Sequence, residues 1–288
     1  MYRHDLSVMP SEAGCAGEIK LRALLNRFQD VAGLAVKDRE GSPGALMKRG
    51  YAWVLLRYSL EVVRRLPGID EDVAIETRHT LNDGFYTLRV FRVFSSSNEA
   101  ETLVLAKTSW VLIDLAAGRP VRAVQHLPEI FSGVADDPPI DPDFPAIPKL
   151  SGPASNSAPA PVSERLFPVR FHDLDANGHV NNAVYFEWAF EATPLDPLAW
   201  GIREIHAEFR ASAKFGDTVL VRVREEKGET GTPTGAAPGD RAFVYEMTDA
   251  AGSGDAERAE PESGKKARSL ARFRAAWSPI GTHGGCCR

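Results

Sequence analysis

The chain has 288 residues, 43% hydrophobic and 25% charged, with a net charge of −5, the composition of a globular protein with room for one large core or two of ordinary size. Lys and Arg are dispersed rather than gathered into the basic stripe of a nucleic-acid binder, and no apolar run approaches the roughly 20 residues of a bilayer span. Cys15 stands alone and Cys286 and Cys287 are adjacent, so zinc-ligand and CxxC spacings are missing; with no signal-peptide or transit-peptide pattern in Met1 to Ala16, the expectation is a soluble, reduced, cytoplasmic protein that meets neither nucleic acid nor membrane.

Leu21, Leu24, Leu25, Phe28, Val31, Ala32 and Ala35 recur at helical spacing and predict an amphipathic helix. Strand-like runs rich in Val, Ile, Thr and aromatics follow at Trp53 to Arg64, Asp72 to Leu81, Tyr86 to Phe94 and Thr102 to Leu115. Turn signals at Leu66-Pro67-Gly68 and Asn82-Asp83-Gly84 separate them. From Asp136 to Glu164 prolines recur (138, 139, 142, 145, 148, 153, 159 and 161). Each removes a backbone donor and favours extended chain, so this stretch predicts a linker rather than a helix or a central strand.

Beyond it the order of elements repeats. A strand at Phe167 to Phe171 precedes a helix at Ala183 to Ala192, with Val184, Tyr185, Trp188, Ala189 and Ala192 for its buried face. Strands are then expected at Ile205 to Arg210, Thr218 to Glu225, Arg241 to Met247 and Ala267 to Trp277, with the turn Lys214-Phe215-Gly216-Asp217 falling where Pro67-Gly68 falls earlier. Gly228 to Asp240 and Ala250 to Gly264 have the composition of flexible spacers. The reading is therefore α+β: domains at 1–135 and 164–278, a linker at 136–163 and a loose tail at 279–288, each domain having a helix lying across an antiparallel sheet.

The segment Phe171-His172-Asp173-Leu174-Asp175-Ala176-Asn177-Gly178-His179-Val180-Asn181-Asn182 lies between a strand and a helix and is too polar for a buried core segment. Part of the pattern is explained by a turn at Asp175 to Gly178 and a helix cap at Asn181 or Asn182. A turn and a cap do not require Asp, Asn and His at every second position, however. The same set can activate water: His is the side chain best suited to act as a base near neutral pH, a carboxylate can orient it or the water, or itself attack a thioester to give an anhydride, and an amide offers both donor and acceptor.

Leu174-Asp175-x-Asn177-x-His179-Val180-Asn181-Asn182, followed by Tyr185 and Trp188, resembles the active-site signature of the acyl-ACP thioesterases of plants and bacteria. The resemblance extends to Leu24-Leu25-Asn26-Arg27-Phe28-Gln29-Asp30-Val31-Ala32, to Trp53-Val54-Leu55-Leu56-Arg57 and to Ser109-Trp110-Val111-Leu112-Ile113-Asp114. It implies two tandem hot-dog domains, each an antiparallel sheet wrapped around a long helix, with the acyl chain held by the first and the catalytic motif in the second. It implies Asp175, Asn177 and His179 as catalytic residues and Trp53, Asn181, Asn182 and Ser212 as substrate-binding residues. The expected reaction is hydrolysis of acyl-acyl carrier protein to a free fatty acid, with no metal and no cofactor. The expected partners are acyl carrier protein and its acyl-phosphopantetheine, and the tandem domains form an intrachain pseudo-dimer able to associate as a homodimer. The family often has a further catalytic Glu where this chain has Ser212, and Glu208 is off register for it. Two other readings fit the same residues: an acyl-CoA thioesterase of this fold and a non-catalytic acyl-binding protein.

Overall fold

The computed structural model describes residues 1–39, 41–82, 84–131, 139–149, 160–226, 239–250 and 267–280. The chain divides into two compact units, Met1–Pro145 and Ala146–Thr282. Positions 136–138 and 150–159 of the expected linker, and most of the two spacers and the tail, lie outside the described residues; positions 139–149 carry neither helix nor strand. Among the described residues no helix is long and apolar enough to cross a membrane.

In the first unit the elements are β1 (Tyr2–Ser7), α1 (Leu21–Leu34), α2 (Pro43–Lys48), β2 (Tyr51–Val62), β3 (Asp72–Asn82), β4 (Tyr86–Ser95), β5 (Asn98–Asp114), β6 (Arg119–Val121) and α3 (Ala123–His126). The strands pair antiparallel in the order β1-β3-β4-β5-β2, with β6 beside the end of β5. The second unit has β7 (Ser163–Pro168), α4 (Asn182–Ala192), β8 (Trp200–Phe209), β9 (Thr218–Glu226), β10 (Arg241–Asp249) and β11 (Ser269–Pro279). Its antiparallel order is β7-β9-β10-β11-β8. Both units thus order their long strands first, third, fourth, fifth, second, with the helix inserted after the first strand.

Two departures from the sequence reading have simple causes. Strand β1 lacks a strong apolar signal because Tyr2, His4 and Leu6, half-buried, alternate with exposed Arg3, Asp5 and Ser7; charged side chains are what an edge strand carries to block further pairing. The strand expected at Phe167 to Phe171 instead starts at Ser163 and stops at Pro168, where the missing N–H ends the ladder. Phe171 to Asp173 form a single 3-10 turn.

Helices α1 and α4 are held by aromatic packing. Leu24, Leu25, Phe28 and Val31 are the buried stripe of α1, and Phe28 stacks on Phe91 of β4 with ring centroids 4.6 Å apart. Helix α4 buries more than one face, adding Ala183 and Phe186 to the residues expected. Phe186 packs on Phe273 of β11 at 4.6 Å. On the opposite face of the second sheet, Arg272 pairs with Glu208, and Arg274 donates to Glu204 (2.7 Å) and Glu226 (2.8 Å).

Phe28→Ala removes half of the α1 stack and lowers the unfolding free energy by about 3–5 kcal/mol, measured by a denaturant melt. A loss below about 1 kcal/mol would show that the stack does not hold the helix. His206 and Arg274 pull the Glu204 carboxyl down to about 2 from an ordinary 4.5. A depressed carboxyl stabilises the fold in full above its ordinary value and loses that contribution as pH falls towards the depressed one. Unfolding midpoints of wild type and Glu204→Gln should therefore differ at pH 7 and converge as pH drops from about 4.5 towards about 2. A gap that is constant with pH would contradict this.

Candidate active site

The site begins where Pro168 stops β7. Val169 N–H donates to the Asp217 carbonyl (2.9 Å), and the chain turns through Arg170. The carboxylate of Asp173 is fully buried, so it must be satisfied within the protein. It accepts from the Arg170 N–H (2.8 Å) and from the Arg170 guanidinium (2.7 Å). The Asp173 carbonyl accepts from the Asn181 N–H (2.8 Å), closing a loop.

Inside this loop lies a tight hairpin. Asp175 N–H donates to the His179 carbonyl (2.7 Å), Gly178 N–H donates to the Asp175 carbonyl (3.0 Å), and Leu174 bridges Val180. Gly178 has φ +73°, a conformation other residues adopt only at a cost. The Asp175 carboxylate folds over the turn, accepting from the N–H of Asn177 (2.8 Å) and, at longer range, from that of His179 (3.4 Å). The Asn177 amide lies 3.4 Å from its other oxygen. The His179 imidazole, half-buried, takes no hydrogen bond from a described residue. Asn181 then caps α4, its side-chain oxygen accepting from the Ala183 N–H (2.9 Å).

A second loop is fastened to this one. The Ala213 carbonyl accepts from the Val180 N–H (3.0 Å), and the Ala213 N–H donates to the Tyr185 hydroxyl (2.9 Å). Burial pushes the Tyr185 phenol up to about 12, so it serves as a neutral acceptor. Exposed Ser212 is thereby held one residue from a peptide bonded to the hairpin. Asp175, Asn177, His179, Asn181 and Ser212 thus belong to two tethered loops of the second unit, and Asn182 opens α4. Trp53 is half-buried in the first unit against the cluster of Val36, Leu46, Leu112 and Phe131. Glu208 is occupied by Arg272 and Arg210. Among the described residues no three metal-ligating side chains converge.

The first unit builds the same backbone without these side chains. Met9 N–H donates to the Glu12 carboxylate (3.0 Å), whose salt-bridge partner is Arg27 (2.7 Å). Lys20 N–H donates to the Glu12 carbonyl, Gly14 N–H to the Glu18 carbonyl and Ile19 N–H to the Pro67 carbonyl, each at 2.8 Å. Ala13 bridges Ile19, and Gly17 has φ +79°. Gly14, Ala16 and Glu18 stand where the second unit has Asp175, Asn177 and His179. The hairpin therefore closes without an Asp, an Asn or a His, and turn-making does not account for the polar set.

Sequence reasoning missed the Arg170–Asp173 clamp and the Tyr185 tether. The only signal for the clamp was the i,i+3 spacing of the pair, and the tyrosine read as one more apolar face residue. Tyr185→Phe leaves the buried Ala213 N–H without its acceptor, at a cost of about 1–3 kcal/mol. Amide exchange at Ala213 should quicken while that of the α4 core keeps its protection. Unchanged exchange at Ala213 would refute the tether.

Models of the acyl-ACP thioesterase N-terminal and C-terminal domains match residues 1–131 and 157–236. The palmitoyl-acyl carrier protein thioesterase of Cuphea hookeriana, chloroplastic, is 28% identical over 211 residues, covering 69% of this chain and 48% of the relative. The chloroplastic oleoyl-acyl carrier protein thioesterase of Coriandrum sativum is 24% identical over 76% of this chain and 61% of its own length. The chain spans about half the length of the first of these curated relatives. Among solved structures, an oleoyl thioesterase from Lactobacillus plantarum aligns with TM-score 0.76 at 19% identity, covering 97% of this chain and 95% of that one. A 12:0-ACP thioesterase from Umbellularia californica aligns with TM-score 0.75 at 18% identity, covering 97% of each. Both units accordingly have the α+β hot-dog fold. In its two matched domains, in order, the chain belongs to the acyl-ACP thioesterase family.

Proposed function

We propose that this protein hydrolyses the thioester of acyl-acyl carrier protein and releases a free fatty acid, as the names of its relatives describe for them. The observation that carries the reading is the duplicated hairpin: one frame occurs twice, and only the second copy bears Asp175, Asn177 and His179. In this reading His179 takes a proton from the attacking water, while Asp175 and Asn177 hold the turn and the water beside it. The carbonyl oxygen becomes an oxyanion as the water adds, and the N-terminus of α4 past Asn181 and Asn182 favours negative charge there. Collapse of the adduct breaks the C–S bond, and the proton on His179 passes to the departing thiolate. Water supplies all that the products require.

Ser212 takes the place of the Glu common in the family and offers a hydroxyl to the water or to the pantetheine arm. Trp53, on the edge of an apolar cluster in the first unit, is assigned to the acyl chain, making the first unit the acyl-binding domain and the second the catalytic one. The reading takes the protein to act in the cytoplasm on the strength of its composition.

His179→Ala should lower kcat/KM on acyl-ACP by about 10²–10⁴-fold with the unfolding midpoint unchanged. The measurement is a panel of medium to long acyl-ACPs with products weighed by mass spectrometry. Much faster turnover of the matched CoA esters would move the assignment to acyl-CoA, and full activity in the alanine variant would remove His179 from the chemistry.

A further inference from the structure

Side chains alternate along β4, so Thr87, Arg89, Phe91 and Val93 share one face. The stack of Phe91 on Phe28 identifies it as the face that α1 covers. Arg89 therefore lies in the layer between helix and sheet, only 8% exposed. Its cross-strand neighbours, His79 on β3 and Thr108 on β5, are buried as well. One guanidinium nitrogen donates to the Thr77 hydroxyl (3.2 Å). No carboxylate of a described residue offsets the charge, and burial alone pushes the group down to about 10. The Thr87 hydroxyl on the same face is also buried with no hydrogen-bond partner among the described residues.

The fold does not need a cation there. The turn from Gly68 to Glu71 matches that from Lys214 to Asp217 bond for bond, which aligns β3 with β9 and, through the ladders, Arg89 with Phe243 and Thr108 with Ala275. The second unit thus fills the same layer with two fully buried apolar side chains. Native proteins pair the charges they bury. Beyond the Thr77 hydroxyl, the guanidinium meets no acceptor within hydrogen-bond distance among the described residues. Phe28, Leu60, Phe91 and Ala106, all buried around this layer, call for an acceptor oxygen to arrive on a hydrocarbon.

We propose that Arg89, with Thr87, forms a binding site in the first unit for an oxygen borne on an acyl chain away from its thioester, so that the preferred substrates are hydroxy-, oxo- or ω-carboxy-acyl groups rather than plain alkyl ones. The oxygen site stands on burial and register; its assignment to a substrate rests on the thioesterase reading.

The test uses the full chain and length-matched thioesters of three kinds: plain alkyl, mid-chain hydroxyl and terminal carboxylate. The corresponding free acids are titrated by calorimetry. Wild type should favour at least one oxygenated series by about tenfold or more in kcat/KM, and the better series tells hydroxyl from carboxylate. Arg89→Met should abolish that preference while keeping or raising turnover of the plain chain, with Arg89→Lys retaining part of it. Equal or better use of plain chains by wild type overturns the site and leaves the hydrolase standing. If no thioester is cleaved, the hydrolase reading fails and the calorimetry decides: tighter binding of an oxygenated acid supports the site, and equal binding overturns it. Should Arg89→Met not fold, Thr87→Val takes its place: a weakened preference for the oxygenated series supports the site, and an unchanged one overturns it.

Discussion

The buried carboxylate of Asp173 sets the geometry on which the candidate site depends. A carboxylate removed from water costs several kcal/mol unless donors replace the solvent, and here the donors come from Arg170 at the entrance of the loop. The same residue's carbonyl takes the Asn181 N–H at the exit. One side chain and its own backbone thus fix both ends of a hairpin whose middle is free to carry chemistry. The Arg170 guanidinium that pairs with it is largely exposed, so the pair is screened on one side only, and most of the constraint is exerted on the acid.

The two units divide polarity in opposite ways over one topology. In the first the hairpin is bare, with Gly14, Ala16 and Glu18, while the layer beneath the helix is polar, with His79, Arg89 and Thr108. In the second the hairpin carries Asp175, Asn177 and His179, and the positions of Arg89 and Thr108 beneath the helix are apolar, with Phe243 and Ala275 beside Phe273, while the cation over the Phe243 ring, Arg241, is paired with Glu225 at the position of His79. Burial of polar groups is costly wherever it occurs. Glu18, at the position of His179, shows the limit of the bare hairpin: burial raises its carboxyl and nothing at Gly14 or Ala16 can answer it.

Much of this was legible in the residues. Helix α1 and the long strands follow from spacing, because apolar period and secondary structure coincide on a half-buried surface. The polar loop announced itself by being too hydrophilic for its flanks. The tethers were hidden because they are made by backbone atoms or by the polar tips of side chains that otherwise read as apolar. Tyr185 counts as core by its ring, and only its hydroxyl reaches Ala213. Arg89 was hidden for the opposite reason: in a strand where apolar and charged residues mix, a cation reads as the solvent face, and only the stack of Phe91 on Phe28 reveals which face it shares.

Duplication lets these hidden features be interpreted. A single hairpin with Asp, Asn and His could owe each of them to the turn, and a single buried arginine could owe its place to packing. The second copy supplies the control in each case. The hairpin closes on glycine, alanine and glutamate, and the sheet layer packs with phenylalanine and alanine. Where a frame folds without a costly group in one copy and keeps it in the other, folding does not explain the group, and what remains to explain it is what the protein binds or transforms.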